Sequence, residues 1–280
     1  RIILGSGSDE VLLFAALGFC QDGDEILHST HGFEMYSIVS KVVGAVPKKI
    51  KEDNNYNLKI ESIIDSINDS TKVIYIASPN NPTGTYLSRD QIVKLLQNIS
   101  KNIIVVIDGA YVEYVQKKDY DKGFSLSDEF DNIILTRTFS KAYGLAALRI
   151  GWCYTSEKVA EIINKIKPPF NTTSISQSMA IKALEDSQYI DKIVKLNNDV
   201  KIWFENELKD IKIKTKPTEG NFSLIESSVD GADKMSNHLA NDGIIIRRLN
   251  SYNLPNLLRI SIGTKAEMEQ AINSLKNFND

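Results

Sequence analysis

Short apolar runs alternate with longer amphipathic stretches from the first residue to about residue 173. Glu25-Ile26-Leu27, Lys72-Val73-Ile74-Tyr75-Ile76-Ala77, Ile103-Ile104-Val105-Val106-Ile107, Asn132-Ile133-Ile134-Leu135 and Ile150-Gly151-Trp152-Cys153-Tyr154 are short and nearly all apolar, the pattern of strands buried on both faces. Arg1-Ile2-Ile3-Leu4 and Ala45-Val46-Pro47 also read as strands. Amphipathic segments lie near 8–20, 32–43, 59–68 and 88–99. In the last, Ser88 is a cap, and Ile92, Leu95, Leu96 and Ile99 follow at helical spacing. This alternation predicts an α/β domain with a mostly parallel central sheet, whose ligand site lies beyond the carboxyl ends of the strands.

The rhythm changes from residue 174. Helices are expected near 174–185 and 187–209. Short strands follow near 211–215, 221–226, 244–247 and 257–262, with helices near 231–241 and 264–277. The pattern predicts a large domain over 1–173 and a small C-terminal α+β domain over 174–280, joined by the long helix near 187–209. The charged stretch 192–209 reads as one solvated helix face.

The 280 residues suffice for one large and one small domain. A net charge of −3 gives no basic stripe for nucleic acid, and no apolar run approaches the ~20 residues of a membrane span. No secretory leader pattern is visible. Cys20 and Cys153 lack metal-ligand spacing and read as buried free thiols, a usage that suits a reducing cytoplasm. No metal site is expected, and Asn171-Thr172-Thr173 is then a chance glycosylation sequon. Because Arg1 opens directly in a strand-like run, natural N-terminal sequence is expected to precede it.

Candidate chemistry gathers at the predicted strand ends. The run Thr136–Gly151 places Lys141 among hydroxyls, small residues and Arg149. A lysine amine is nucleophilic only when neutral, a state favoured by cationic or apolar surroundings. Thr138, Ser140 and the Arg149 guanidinium can together hold a phosphate. A lysine that condenses with an aldehyde, beside a phosphate cradle, is what pyridoxal 5'-phosphate requires; a solvated loop lysine is the alternative on this run alone.

Other segments add to that reading. Ser78-Pro79-Asn80-Asn81-Pro82-Thr83-Gly84 is a rigid turn directly after a strand, able to aim the Asn81 amide at a cofactor oxygen. Asp108 ends a strongly apolar strand, where a carboxylate needs a cation or hydrogen bonds; a pyridinium N–H serves, as would a capping role. Tyr111 is placed to reach the ring's phenolic oxygen. Gly5-Ser6-Gly7-Ser8-Asp9 runs from a strand into a helix and offers backbone N–H groups to an anion, although Asp9 equally suits an ordinary first turn. Phe33 suits ring stacking or simply the core. Arg259, in strand-like Leu257-Leu258-Arg259-Ile260, calls for a carboxylate or phosphate. Asn221 and Arg247 bring further polar groups from the same region, with surface ion pairing the alternative for Arg247.

Taken in order, these motifs resemble the fold-type I pyridoxal-phosphate aminotransferases over essentially the whole chain. Ser78–Gly84, Arg137-Thr138-Phe139-Ser140-Lys141-Ala142 and Leu258-Arg259-Ile260-Ser261-Ile262-Gly263-Thr264 are close to the wording of the histidinol-phosphate aminotransferase family. The resemblance implies a cytoplasmic homodimer that transfers an amino group from a small-molecule donor to 2-oxoglutarate in histidine biosynthesis. It implies roles residue by residue. Lys141 would bond the cofactor, Asp108 would pair with the pyridine nitrogen, and Asn81 and Tyr111 would bind the ring oxygen. Phe33 would stack on the ring in place of the family's usual tyrosine. Ser8, Asp9, Thr138, Ser140 and Arg149 would hold the phosphate, while Arg259, Arg247 and Asn221 would meet the substrate. Gly109 stands where many relatives have glutamate. The family's N-terminal arm, with its tyrosine that reaches the neighbouring subunit, is not in this sequence. The same core chemistry would serve an aromatic or broad-specificity aminotransferase or a phosphothreonine decarboxylase-like lyase; an inactive fragment or a non-catalytic sensor on the same fold are the remaining alternatives.

Overall fold

A computed structural model describes residues 1–278. In chain order its strands and helices are β1 (Ile2–Gly5), α1 (Ser8–Phe19), β2 (Glu25–Ser29), α2 (Met35–Val42), β3 (Val46–Ile50), α3 (Ile60–Asp65), β4 (Thr71–Ala77), α4 (Arg89–Gln97), β5 (Ile104–Asp108), α5 (Leu126–Glu129), β6 (Ile133–Thr138), β7 (Gly151–Thr155) and α6 (Glu157–Ile166). They continue as α7 (Ser174–Glu185), α8 (Ser187–Asp210), β8 (Lys214–Lys216), β9 (Phe222–Glu226), α9 (Val229–Asn241), β10 (Arg247–Arg248), β11 (Leu257–Ser261) and α10 (Lys265–Lys276).

Seven strands form one sheet in the order β1-β7-β6-β5-β4-β2-β3. Neighbours from β6 to β3 are parallel, and β7 runs antiparallel to both β6 and β1. The central strands β4, β5 and β6 are almost wholly buried, as their unbroken apolar runs require. One face packs Val11, Leu12, Phe14 and Ala15 of α1 against Val73, Tyr75, Val106 and Ile134. The other packs Ile92, Leu95 and Leu96 of α4 against Ile74, Ile76, Val105 and Leu135. Pro47 lies in edge strand β3, where a missing N–H costs no interior ladder bond. α4 opens with a capping box in which Ser88 and Gln91 exchange hydrogen bonds.

A second, antiparallel sheet has the order β10-β11-β9-β8. Its core joins Val200, Phe204 and Leu208 of α8 to Ile225, Leu258, Ile260, Met235 and Leu275. Two strands depart from expectation. β8 begins only at Lys214, because Ile211 and Lys212 close the last turn of α8 on Glu207 and Lys209, with Lys212 at φ 62°. β10 spans only Arg247–Arg248 because the preceding Ile244–Ile246 do not pair with β11. Helices α5 and α6 escaped the sequence reading, although Ser156 caps α6 and Val159, Ala160 and Ile163 form its buried stripe. Cys153 is buried, but Cys20, expected to be buried, is partly exposed because it stands past the end of α1; both are free.

Candidate active site

Four strand ends converge on one cavity of about 220 Å³, lined by Ser8, Asp9, Phe33, Asn81, Asp108, Tyr111, Thr138, Ser140, Lys141 and Arg149, with Ala77, Pro79, Ala110 and Ala146. The polar wall is built by the ends of β1, β4, β5 and β6, where a parallel sheet leaves its crevice.

Asp108, the last residue of β5, is 4% exposed. The β5–β6 register sets it beside Thr136, whose Oγ1 donates to Asp108 Oδ1 at 2.9 Å. The Tyr36 hydroxyl donates to Oδ2, also at 2.9 Å. Burial raises the Asp108 carboxyl above its ordinary value, partly offset by these two hydrogen bonds. Tyr36 stacks on Tyr75 at 4.9 Å, and burial followed by the Asp108 charge holds its hydroxyl well above the usual tyrosine value, so it remains a donor. Neither Tyr36 nor Thr136 was singled out from sequence. The signals were present: a buried tyrosine needs a partner for its hydroxyl, and Thr136 shares a strand face with Thr138.

On the opposite wall, Lys141 Nζ lies 5.3 Å from the ring centroid of Tyr111. Tyr111 packs edge-on against Phe222 of β9, and Phe222 in turn carries the Arg259 guanidinium 5.1 Å above its ring. Arg259 Nη1 donates to Asn81 Oδ1, while its buried Nε has no partner. The two sheets therefore meet at the cavity edge. Arg247 sits opposite Arg259 in the β10–β11 register and pairs with Glu34 at 3.6 Å. Asn221 is further out: its carbonyl accepts from Ile262 N–H, and its side chain does not line the cavity. Of the three expected substrate contacts, Arg259 is hydrogen-bonded to a cavity-lining residue, Asn81, and none lines the cavity itself.

The third wall suits an anion. α1 begins at Ser8 with no side-chain cap on Gly7, leaving the N–H groups of its first turn without intrahelical partners. Gly7 has φ +81°, and a Cβ there would lie 2.5 Å from Arg149 Nη2. Arg149 Nη1 stands 3.5 Å from Ser140 Oγ, Nη2 lies 3.6 Å from Asp9, and Thr138 Oγ1 accepts from Ser140 N–H at 3.1 Å. Gly109 has a local reason as well: a Cβ there would run into the guanidinium of buried Arg137.

Cationic ring nitrogen, aldehyde and phosphate are the three groups that such a cavity would accept, at Asp108, Lys141 and the Gly7–Arg149 cradle. The family described as class I and II aminotransferases matches residues 1–275, and the chain belongs to it. Within that family it is similar to histidinol-phosphate aminotransferases. One from Pelagibacter ubique is 39% identical over 279 residues, covering 99% of this chain and 77% of that protein. One from Rhodospirillum centenum is 35% identical over 280 residues, with the same coverage of each. The solved structure of histidinol-phosphate aminotransferase from Sinorhizobium meliloti in complex with pyridoxal-5'-phosphate superposes with a TM-score of 0.91 at 25% identity, covering 98% of this chain and 75% of that chain.

The residues fit pyridoxal 5'-phosphate. Asp108 is a buried carboxylate whose hydrogen-bond partners are two neutral hydroxyls, so no cation is in direct contact with it. The uncapped helix start and Arg149 offer donors to a phosphate, and Lys141 lines the same cavity. Among the described residues, no helix is long and apolar enough to cross a membrane, and no group of acids, histidines and cysteines is placed to hold a metal ion.

Proposed function

We propose that this chain is a pyridoxal-phosphate aminotransferase acting on histidinol phosphate, with 2-oxoglutarate as amino acceptor. The observation that carries the reading is the buried Asp108 carboxylate, hydrogen-bonded only to neutral hydroxyls, facing the same cavity as Lys141 and the phosphate cradle. When bound, the cofactor supplies an electron sink through its protonated ring. Asp108 would hold the proton on the ring nitrogen, while the Thr136 and Tyr36 hydroxyls aim the carboxylate and partly offset the effect of burial on it. Asn81 and Tyr111 would bind the ring oxygen, and Phe33 would pack on the ring. Ser8, Asp9, Thr138, Ser140 and Arg149 would hold the phosphate, the first two through backbone N–H groups. The Lys141 amine, which lines the same cavity, would hold the cofactor aldehyde and, once released, would act as the base that moves the proton from the α-carbon of the amino donor.

Histidinol phosphate is favoured by the cross-strand pair Arg247 and Arg259. Like charges directly opposed are unfavourable; Glu34 pairs with Arg247 at 3.6 Å, Arg259 is hydrogen-bonded to the neutral Asn81 amide, and a phosphate monoester would bring two negative charges where an ordinary donor brings one carboxylate. Asn221 is a further substrate contact in this reading. In this reading residues 1–173 form the cofactor-binding domain, which supplies every residue lining the cavity, and the smaller domain over 174–280 reaches the cavity's edge through Arg259. A cytoplasmic location and a homodimer belong to the same reading, the homodimer supported by the exposed apolar surface of Phe170 (98% exposed), Ile175, Met179, Ile181 and Leu184.

The test is spectroscopic. Purified protein is mixed with pyridoxal 5'-phosphate, and histidinol phosphate, phenylalanine and phosphothreonine are added separately. Conversion of the bound cofactor to its pyridoxamine form by histidinol phosphate alone is expected. Conversion by phenylalanine would make the protein a broad aromatic aminotransferase, and carbon dioxide release from phosphothreonine a lyase. Failure to bind the cofactor would refute the enzyme reading.

A further inference from the structure

We propose that Glu10 and Asn171 are positioning residues that together brace the loop receiving the cofactor phosphate; this rests on the reading that the cavity takes pyridoxal 5'-phosphate. The loop is Ser6-Gly7, between the end of β1 and the start of α1. The Asn171 amide nitrogen carries two N–H bonds, and they span that loop. Nδ2 donates to the Leu4 carbonyl ahead of it at 3.0 Å and to Glu10 Oε2 behind it at 2.6 Å. The same carboxylate oxygen accepts from Ser6 N–H, within the loop, at 2.7 Å. Lys167 Nζ donates to Asn171 Oδ1 at 3.3 Å, which fixes which way the amide faces.

Two features separate this arrangement from ordinary helix capping. Asn171 lies 161 positions away from Glu10, in the connection between α6 and α7, so tertiary structure alone brings them together. Glu10 is the third residue of α1, where a glutamate ordinarily turns back to the cap residue's own N–H. Here it reaches one residue further, to Ser6, and Gly7 carries no side-chain cap. The carboxylate thus fixes the loop while leaving the first-turn N–H groups of α1 facing the cavity. Asn171 is also committed to these bonds and partly buried, which makes its sequon unsuited to carrying a glycan.

The brace acts on the phosphate loop, so its removal should be felt by the phosphate and not by the ring. Dissociation constants for pyridoxal 5'-phosphate and for pyridoxal, which lacks the phosphate, are measured by absorbance titration on the wild-type protein and on Asn171→Ala. Loss of a charge-assisted hydrogen bond should weaken pyridoxal 5'-phosphate about tenfold, with pyridoxal affinity within about twofold of wild type. Equal weakening of both would reduce Asn171 to a merely structural role, and unchanged phosphate-ester affinity would overturn the proposal. Where Asn171→Ala does not fold, Glu10→Gln, which keeps the side-chain volume, is measured in the same way, with the same outcomes deciding. A wild-type protein that binds neither compound would overturn the cofactor reading, and the brace with it.

Discussion

Asp108→Asn is expected to stabilise the cofactor-free protein while disabling the loaded one. In the free protein the carboxylate is buried, with two neutral donors at 2.9 Å. Burial raises its pKa above 3.8. The folded state therefore binds that proton more tightly than the unfolded chain does. The favourable contribution is intact below the unfolded value and is lost as pH rises through the higher folded value, by about 1.4 kcal/mol for each unit between them. Asparagine carries no such proton. Its oxygen accepts from one hydroxyl, and the other hydroxyl rotates to accept from its amide. Urea unfolding of both cofactor-free proteins from about pH 4 to about pH 8 isolates the effect, because the remaining carboxylates cancel in the difference. The variant should gain on wild type with rising pH and then level off. With pyridoxal 5'-phosphate bound, the sign reverses. The variant cannot neutralise a protonated ring nitrogen, and transamination should fall at least about 100-fold, about 3 kcal/mol of barrier. A stability difference that does not change with pH, or a rate within about tenfold of wild type, would refute the reasoning.

Three further outcomes are expected. Lys141→Ala should lose both the absorbance band of covalently held cofactor and turnover; survival of either would remove Lys141 from its role. Gly7→Ala forces φ +81° on a residue with a Cβ and sets that carbon 2.5 Å from Arg149 Nη2. It should cost about 1–2 kcal/mol of stability in thermal unfolding and weaken pyridoxal 5'-phosphate by displacing the guanidinium, and unchanged affinity would show that the loop does not hold the phosphate. Burial pushes the Cys20 and Cys153 thiols up to about 12. Iodoacetamide at about pH 8 should therefore label neither in the native protein and both after unfolding, with native labelling of Cys20 the contrary result.

Much of the site was legible because its pieces are local. Lys141, Ser140 and Thr138 share one short segment, Asp108 ends an apolar strand, and Asn81 lies in a proline-bounded turn, each within a few residues of a strand's carboxyl end. The geometry around them was less legible. Tyr36 reads as one more core aromatic until the fold brings its hydroxyl to Asp108 at the end of β5, and Thr136 acquires meaning only from the β5–β6 register. The bond from Arg259 to Asn81 links positions 178 apart. The apolar pattern near 244–247 promised a strand, yet pairing is confined to Arg247–Arg248, because a ladder needs a partner strand as well as a suitable sequence.

Hydrophobic periodicity and the chemistry of short motifs determined the α/β architecture of the main sheet and the candidate cofactor residues of this protein, because strand ends, turns and helix starts are encoded by neighbouring residues. Tertiary packing alone decided which groups surround the Asp108 carboxylate, that Asn171 spans the loop ahead of α1, and that Arg259 reaches across to Asn81. Those contacts join residues far apart in the chain, and their geometry depends on strand register and on the seating of one sheet against the other.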